Sequence, residues 1–310
     1  MKNKNILITG GLGFIGSHIA NHLMDDNKVT IIDNLSTGNI KNLKDENHEN
    51  LKIKIEDIRN INFDELTEDV DYIFHLAAMA SVPLSVENPL ECNEINVDAT
   101  VNLLNSAVKN DVEKIVFSSS SAVYGENRNI PLKESEPFMP TSPYAATKAS
   151  CELYLNTFYE SYGLKYTALR YFNVFGPNQH KNSQYAAVIP NFISSLLEGK
   201  QAEIYGDGEQ TRDFIYVEDI VKANIAACKA DYNGSINVAS GKKITINQLY
   251  EIVKNTLGSD LEPKYLPERL GDIKHSLADV ENLEKIGIKI DSSKFETQLE
   301  ETVNWFKTIL

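Results

Sequence analysis

The fold is predicted from a short segment near the N-terminus, Thr9-Gly10-Gly11-Leu12-Gly13-Phe14-Ile15-Gly16. Residues 6–9 form a short, mainly apolar segment typical of a buried strand. Residues 15–24 have the apolar periodicity of a helix. The glycines at positions 10, 13 and 16 permit a tight turn and close approach of the backbone to a pyrophosphate on the helix N-terminus. Because the triplet lies between a strand and a helix, it predicts a dinucleotide-binding unit and not merely a tight turn.

The rest of the first half alternates between strand and helix patterns. Strand patterns occur at 28–33, 51–56, 72–77, 114–119 and 165–171, and long helical patterns at 89–109 and 142–162. Apolar strands that alternate with helices predict a parallel sheet covered on both faces. We therefore expect a doubly wound α/β domain of the Rossmann type in residues 1–173. Glycine and proline become denser afterwards, which predicts a smaller α/β lobe in residues 174–310, with some segments returning to the first sheet.

Composition limits the possible partners. The net charge of −14 argues against nucleic-acid and anionic-membrane partners, because both need basic patches. The three cysteines, Cys92, Cys151 and Cys228, are widely spaced, so neither a disulfide framework nor a metal site is predicted. No apolar run is long enough to span a bilayer, and the first strand begins without a signal peptide before it. The sequence predicts a cytoplasmic protein.

Several strand ends carry residues suited to a dinucleotide. Asp33 ends the second strand about 20 residues after the glycine loop, where a carboxylate binds a ribose 2′-hydroxyl and repels a 2′-phosphate. Residues 34–38 contain no arginine, so NAD is favoured over NADP. Asp57-Ile58 follows the third strand and could meet an adenine edge, and the small pair Ala77-Ala78 would let the backbone pass beneath a cofactor. His75 is interpreted as structural.

A second motif, Tyr144-Ala145-Ala146-Thr147-Lys148, opens the helix after Pro143. The spacing of four puts the phenol and the ammonium on one helical face, one turn apart. A tyrosine pKa of about 10 is too high for a base at neutral pH, and a nearby cation favours the phenolate and lowers the pKa. The serines of 118–121 end the fifth strand at the edge where such sheets bind ligands. The Tyr-x-x-x-Lys spacing or the serine run alone would be ordinary on a protein surface, but together they predict a proton-transfer site.

This combination resembles the extended short-chain dehydrogenase/reductases over nearly the whole chain. Four more segments, 170–177, 185–190, 204–214 and 269–272, are similar to segments of nucleotide-sugar members. The resemblance implies an NAD site formed by Gly10, Gly13, Phe14, Ile15, Gly16, Asp33, Asn34, Ser36, Thr37, Gly38, Asp57, Ile58, Leu76, Ala77, Ala78, Ser118, Tyr144, Lys148 and Tyr171. It also implies a UDP-sugar site formed by Ala80, Ser81, Val82, Ser120, Ser121, Ala122, Tyr144, Asn173, Ala187, Val188, Tyr205, Arg212, Arg269, Asp272 and Ser276. In that site Asn173, Arg212 and Arg269 would hold the diphosphate, since guanidinium groups bind phosphate oxygens in a bidentate way.

The residues before Tyr124 separate the reactions of the resembling enzymes. The 4,6-dehydratases carry Asp-Glu where this chain has Ser121-Ala122, and the UDP-glucuronate decarboxylases usually carry Glu where it has Ala122. The resemblance therefore implies a 4-epimerase. Tyr144, as phenolate, would take the proton of the sugar 4-hydroxyl while hydride passes from sugar C4 to NAD⁺. Lys148 would lower the tyrosine pKa, and Ser120 would hydrogen-bond the 4-oxygen until hydride returns to the opposite face of the turned 4-keto sugar.

The sugar itself is suggested by two positions. A bulky tyrosine seven residues after the phosphate-binding arginine resembles enzymes restricted to UDP-glucose, and this chain has Ser276 there. Residues 80–85 resemble the Gly-Ser-Val-Pro-Arg-Ser loop of UDP-N-acetylglucosamine 4-epimerases, with Ala80 and Leu84 as departures. UDP-N-acetylglucosamine is the expected substrate, with UDP-glucose also accepted.

Two other interpretations stay open. A UDP-glucuronate 4-epimerase needs a cation for the sugar carboxylate, for which Lys181 is a remote candidate. A non-catalytic NAD-binding regulatory protein could share the fold, although such proteins commonly lose the tyrosine or the lysine. The resemblance further implies a homodimer formed by helices 89–109 and 142–162, with Cys151 and Leu155 either on that interface or in the core.

Overall fold

A computed structural model provides the structure, which describes residues 1–180, 188–268 and 274–310. Within these residues the strands are β1 (Asn5–Thr9), β2 (Lys28–Asp33), β3 (Leu51–Ile55), β4 (Tyr72–His75), β5 (Lys114–Ser120), β6 (Lys165–Tyr171), β7 (Asn173–Phe175), β8 (Glu203–Tyr205), β9 (Thr211–Tyr216), β10 (Gly234–Val238), β11 (Lys243–Thr245) and β12 (Lys264–Leu266). The helices are α1 (Phe14–Leu23), α2 (Phe63–Leu66), α3 (Val82–Glu87), α4 (Pro89–Asn93), α5 (Ala99–Lys109), α6 (Pro143–Tyr162), α7 (Val188–Leu197), α8 (Val217–Lys229), α9 (Ile246–Leu257), α10 (Glu281–Lys285) and α11 (Phe295–Ile309).

The central element is a seven-stranded sheet in the order β10-β6-β5-β4-β1-β2-β3. Every neighbouring pair in it is parallel, as strands joined by crossover helices must be. The strand order reverses between β1 and β4, which creates the crevice at the carboxyl ends where doubly wound sheets bind ligands. The predicted doubly wound parallel sheet is confirmed.

Both faces of this sheet are covered, which explains its continuous apolar strands. In β1, Ile6 and Ile8 face a core built with α1 and α8, whereas Leu7 faces the core built with α5 and α6. All three side chains are at most 1% exposed. Burial of aliphatic side chains on both faces contributes about 1.5–3 kcal/mol for each residue, which fixes the sheet between its helices.

The residues after 173 form a second lobe and also return to the first sheet. Strands β7, β9 and β11 make a three-stranded sheet, and β8 pairs with β12. The aromatic and aliphatic side chains of α7, α9 and α11 pack together against this lobe in one core. Strand β10 nevertheless pairs with β6, and α8 packs on α1, so the two parts share one framework.

Two details differ from the sequence patterns. The long helix predicted for 89–109 contains a π-helical turn at 94–98, between α4 and α5. The short helix α3 was absent from the prediction, because its six residues are too few to show a helical period. Among the described residues, no helix has the length and apolarity that a membrane crossing requires.

Candidate active site

The glycine loop passes directly beneath the loop that follows β4. A Cβ on Gly10 would lie 2.7 Å from the amide nitrogen of Ala77, and one on Gly16 would lie 2.1 Å from the carbonyl oxygen of Gly10. Gly10 also has a φ of +70°, a conformation that favours glycine. Helix α1 then begins at Phe14 with an uncharged first turn, so its amide dipoles suit an anion. The loop therefore fits a dinucleotide pyrophosphate held by Gly10, Gly13, Phe14, Ile15 and Gly16.

Asp33 is a fixed acceptor at the end of β2. One carboxylate oxygen accepts a hydrogen bond from the Leu12 amide at 3.0 Å, and the other accepts one from the Leu35 amide at 2.8 Å. Gly38 lies so close that a Cβ there would be 2.7 Å from Asp33 Oδ1. Each oxygen keeps a lone pair for a ribose hydroxyl, whereas the exposed Ser36 and Thr37 lie at the rim. The geometry suits the predicted ribose site.

Asp57, predicted to meet an adenine edge, is already paired within the protein. Arg59 donates from Nε to Asp57 Oδ1 at 3.0 Å and from Nη2 to Oδ2 at 2.8 Å, and the side-chain amide of Asn34 donates to Oδ2 at 3.2 Å. These hydrogen bonds, chiefly those from Arg59, lower the pKa of Asp57 to about 2. Ile58 is buried beside it. The carboxylate is thus an ionised acceptor held at the sheet edge.

A chain of hydrogen bonds runs under the loop that carries Leu76, Ala77 and Ala78. The Ala77 amide donates to Thr9 Oγ1 at 3.3 Å, and Thr9 Oγ1 lies 2.6 Å from His75 Nδ1. His75 Nε2 lies 2.8 Å from Thr100 Oγ1, which in turn donates to the main-chain oxygen of Asn96 at 2.5 Å. Every donor has an acceptor if His75 is neutral with its proton on Nε2. Burial lowers the pKa of His75 to about 3, which agrees with the structural role expected for it.

The Ser-rich end of β5 meets the first turn of α6. Ser120 caps the 3₁₀ turn at 121–124 by accepting a hydrogen bond from the Ala122 amide at 3.2 Å. The Ser120 side chain lies close enough to the phenol of Tyr144 to oppose the rise in its pKa, so the two predicted proton-handling hydroxyls are neighbours. Ser121 and Ala122 open the same turn beside them.

Lys148 lies one turn further along α6 and is 4% exposed. Its ammonium donates to the main-chain oxygen of Ser118 at 2.7 Å and lies 4.7 Å from the centre of the Phe117 ring. It lies 5.9 Å from the centre of the Tyr144 ring. Burial lowers the pKa of Lys148 to about 8.

The expected effect of Lys148 on the tyrosine is corrected by this geometry. Burial raises the pKa of Tyr144, and the neighbouring Ser120 side chain, not the charge of Lys148, opposes the rise. The physical reason is that the ammonium points at the Ser118 carbonyl and that the phenol has lost its hydration. The protein alone therefore does not supply the lowered tyrosine pKa that the spacing suggested.

Asn96 is a site residue that the sequence analysis missed. It is buried in the π-helical turn, and its side chain pairs with both main-chain groups of Met79 at 2.8 and 3.2 Å. It also donates to Thr147 Oγ1, next to Lys148, at 2.9 Å. π-Helical turns are frequent at functional sites, but a single asparagine in a helical pattern gives no sequence signal for one.

A buried ion pair anchors helix α6 to the central sheet. Glu152, one turn after Lys148, accepts from Arg170 Nη2 at 2.7 Å, and both side chains are at most 4% exposed. Its carboxylate also accepts hydrogen bonds from the hydroxyls of Ser119 and Ser235. One carboxylate thereby joins α6 to β5, β6 and β10. Neither charge was predicted, because the partners are far apart in sequence.

In the second lobe, Asn173 and Arg212 lie on the adjacent strands β7 and β9. The side-chain amide of Asn173 donates to the main-chain oxygen of Asp213 at 3.0 Å, and Arg212 Nη1 donates to the main-chain oxygen of Thr211 at 3.0 Å. Strand pairing therefore places Asn173 and Arg212 on neighbouring strands, and their role as diphosphate ligands stays a prediction.

Asp213 fixes the segment that carries Ser276. Its Oδ1 accepts hydrogen bonds from the Ser240 amide and hydroxyl at 2.8 and 2.7 Å, and its Oδ2 accepts from the Gly241 and Ala278 amides at 3.1 and 3.2 Å. Burial raises the pKa of Asp213 to about 6, against the effect of these four hydrogen bonds. Ser276, 8% exposed, donates its amide to the Thr211 carbonyl at 3.1 Å. The small side chain predicted for the sugar pocket is thus tied to the strand of Arg212.

The loop at 80–82, called here the sugar loop, leads into α3. Ser81 caps that helix by accepting from the Leu84 amide at 3.3 Å, while Val82 and Leu84 are each 41% exposed. Ala80, at the start of the loop, is exposed. The loop presents uncharged side chains.

Other predicted positions are placed as follows. Val188 begins α7, and Tyr205 ends β8 beside Leu266 of β12. Tyr171 is buried on the α8 face of the sheet, where its hydroxyl donates to Asn224 Oδ1 at 3.0 Å. The predictions for Ala187, Arg269 and Asp272, and the candidate Lys181, lie outside the described residues.

Of the two alternatives left open for Cys151 and Leu155, the structure shows the core. Cys151 and Leu155 are at most 1% exposed and belong to the core between the sheet and α6. They face inward because their sequence positions share a helical face with Lys148. The exposed large apolar side chains of this region include Leu153 on α6, at 59%, and Leu90 on α4, at 80%.

Comparisons with known proteins agree with this geometry. Residues 6–239 match the NAD dependent epimerase/dehydratase family. A putative UDP-glucose 4-epimerase of Methanocaldococcus jannaschii is 40% identical over 97% of this chain and 98% of its own length. The UDP-N-acetylglucosamine 4-epimerase of Methanobrevibacter ruminantium, solved with UDP-N-acetylmuramic acid, is 62% identical, covers 100% of both chains and has a TM-score of 0.99. The UDP-glucose 4-epimerase of Thermotoga maritima, solved with UDP-glucose, is 39% identical, covers 98% and 99% of the chains and has a TM-score of 0.92.

The family match spans the glycine loop, the serines of β5 and the Tyr-x-x-x-Lys motif of α6, and the solved relatives share the fold from end to end. The chain belongs to the NAD dependent epimerase/dehydratase family.

Proposed function

We propose that the protein is an NAD-dependent UDP-sugar 4-epimerase that prefers UDP-N-acetylglucosamine and UDP-N-acetylgalactosamine and also accepts UDP-glucose and UDP-galactose. The observation that carries the proposal is the proximity of Ser120 to Tyr144 at the carboxyl edge of the sheet, one turn from Lys148. The uncharged pair Ser121-Ala122 follows directly, so no acid stands where elimination or decarboxylation would need one.

The two parts of the chain would bind different ligands. Residues 1–173 would hold the cofactor through the glycine loop and Asp33. The UDP group would be held by Asn173, the last residue of that domain, and by Arg212 of the second lobe. NAD⁺, when bound, would supply the hydride acceptor. The other predicted contacts of both ligands, including those outside the described residues, remain part of this proposal.

Proton transfer would pass through the two hydroxyls. Tyr144 accepts the proton of the sugar 4-hydroxyl, and Ser120 holds the 4-oxygen in line with the phenol. Lys148, fixed on the Ser118 carbonyl, orients the base and the ribose beside it. The uncharged sugar loop leaves the sugar free to turn, while the lobe of Arg212 keeps the diphosphate in place.

The sugar preference rests on Ser276 and on a similar enzyme. A small side chain at the sugar pocket leaves room for an N-acetyl group. The Methanobrevibacter protein, 62% identical, is named for UDP-N-acetylglucosamine and was solved with an N-acetylated sugar nucleotide. A UDP-glucuronate 4-epimerase is less well supported, because the sugar loop presents Ala80, Ser81 and Val82 and no cation.

The assembly and compartment follow from other residues. We propose a homodimer in which Leu90 and Leu153, on the neighbouring helices α4 and α6, face their copies, because large exposed apolar side chains mark interfaces. Leu153→Glu would then convert the dimer to a monomer in sedimentation velocity, with Glu160→Gln on the same helix as the control.

The three cysteines are buried and free, as is usual in the reducing cytoplasm where we place the enzyme.

The function is tested by incubating the purified protein, without added NAD, with UDP-N-acetylglucosamine and separately with UDP-glucose. NMR would resolve the 4-epimers. Tyr144→Phe should lower turnover by about 100- to 10,000-fold, whereas Tyr162→Phe, at the exposed end of the same helix, should not change it. A Tyr144→Phe variant as active as the parent would refute the mechanism. Binding of NAD without turnover of any UDP-sugar would favour a regulatory protein.

A further inference from the structure

Ser85 lies at a contact between two helices that carry different parts of the proposed site. It is 0% exposed and belongs to α3, the helix that begins at Val82, the last residue of the sugar loop. Its hydroxyl donates to the main-chain oxygen of Val82 at 2.6 Å and accepts a hydrogen bond from the Tyr144 amide at 3.1 Å. One hydroxyl therefore connects the start of α3 with the first turn of α6.

This hydrogen bond completes the N-terminus of α6. The first amides of a helix lack partners within the helix. Pro143 has no N–H group, and the Ala145 amide donates to its own N-cap, Ser142 Oγ, at 3.2 Å. The Tyr144 amide instead finds its acceptor on another helix. The position of the catalytic tyrosine thus depends on where α3 holds Ser85.

We propose that Ser85 is a positioning residue that couples the sugar loop to Tyr144. If the hydroxyl is removed, the Tyr144 amide loses its acceptor, and with it the hydrogen bond that ties α3 to the backbone of that turn. The first turn of α6 can then shift relative to the strand that carries Ser120. The distance between the Ser120 hydroxyl and the phenol would lengthen, and burial alone would set the protonation of Tyr144.

The inference rests on the proposed epimerase function and makes two kinetic predictions. Ser85→Ala should lower kcat by about 10- to 100-fold, because a misplaced catalytic group loses rate even when the substrate still binds. The KM for the UDP-sugar should change little, because the diphosphate contacts lie in the second lobe. The acid limb of the pH–rate profile should move to higher pH, since the interaction with Ser120 that opposes the raised tyrosine pKa is weakened.

A matched control separates this role from simple helix capping. Ser142→Ala removes a cap hydrogen bond of similar length from the same helix end, but it leaves α3 in contact with Tyr144. Both variants should lose similar thermal stability, whereas Ser142→Ala should keep kcat within about three-fold and leave the acid limb unmoved. Ser85→Cys keeps the volume with a weaker acceptor, so it should lie between the parent and Ser85→Ala, and it serves for the kinetics if Ser85→Ala does not fold.

The outcomes are distinguishable. If Ser85→Ala and Ser142→Ala change kcat and the acid limb equally, or if Ser85→Ala behaves as the parent, the positioning role is refuted. If the parent converts no UDP-sugar, it is the proposed function that fails, and the Ser85 variants have no kinetic readout to interpret.

Discussion

The ammonium of Lys148 is held by the main-chain oxygen of Ser118 at 2.7 Å. The charge is therefore fixed near the C-terminal end of strand β5, in a buried position that lowers the lysine pKa to about 8. Its distance from the Tyr144 ring centre is 5.9 Å, so we expect Lys148 to orient the site at least as much as to attract the phenolate.

We expect the activity of the parent to fall above a pH of about 8, as Lys148 loses its proton and its charge. Lys148→Arg keeps the charge because a guanidinium does not lose its proton in this range. Its kcat should be lower, owing to the different shape, but its alkaline limb should disappear up to a pH of about 10. The measurement is kcat/KM against pH. An alkaline limb that stays at the same pH in Lys148→Arg would assign it to another group.

Loss of the ion pair between Glu152 and Arg170 should be costly. Both side chains are at most 4% exposed, so Glu152→Gln leaves a buried guanidinium without its counter-charge. We expect a loss of about 3 kcal/mol in the free energy of unfolding, measured by urea denaturation. Asp231→Asn removes the exposed partner of Lys165 and should cost less than about 1 kcal/mol. Equal effects of the two variants would contradict the burial argument.

His75 should make the protein sensitive to acid. Its native pKa of about 3 lies below the ordinary value of 6.5, so between these pH values the unfolded chain binds a proton that the native imidazole does not. Stability from this group is complete above pH 6.5 and is lost as the pH falls toward 3. In His75→Gln the free energy of unfolding should depend less on pH in that window than in the parent.

His48→Gln removes a half-buried imidazole beside Asp25 and serves as the comparison variant for the loss of a histidine. Asp213, whose pKa is raised to about 6, contributes a slope of opposite sign, so only the difference between variant and parent isolates His75.

Asp213→Asn should loosen the sugar pocket. The carboxylate accepts four hydrogen bonds, two on each oxygen, and an amide nitrogen in place of one oxygen would face two donors. We expect a loss of about 2 kcal/mol in stability and a higher KM for UDP-sugars, because the segment of Ser276 or the loop of Ser240 is released. Calorimetry and initial rates would test this, with Asp207→Asn in an exposed turn as the control. An unchanged KM would show that Asp213 does not determine the geometry of the sugar pocket.

Ser276→Tyr should change the substrate range. A phenol ring at this buried position would fill the space proposed for the N-acetyl group. Conversion of UDP-N-acetylglucosamine should fall by about 100-fold relative to that of UDP-glucose, a discrimination within reach of pocket shape. Ser276→Ala should leave the ratio unchanged. If Ser276→Tyr lowers both rates equally, the residue does not border the sugar.

Much of the framework follows from local sequence. The glycine loop and the apolar strands determine the parallel sheet, because backbone freedom at Gly10 and burial on both faces are properties of the local chain. The spacing of Tyr144 and Lys148 determines a shared helical face for the same reason. The position of the Asp33 carboxylate could also be predicted from the sequence, because Asp33 is the last residue of strand β2.

Only the tertiary structure decided which groups meet. Asn96 with Met79, Glu152 with Arg170 and Ser85 with the Tyr144 amide are pairs of residues separated by 17, 18 and 59 positions. The direction of the Lys148 ammonium and the raised pKa of Tyr144 likewise depend on burial and on distant carbonyls. Local sequence fixes the backbone path and the face of each side chain, whereas desolvation and hydrogen-bond partners arise only when distant segments pack together.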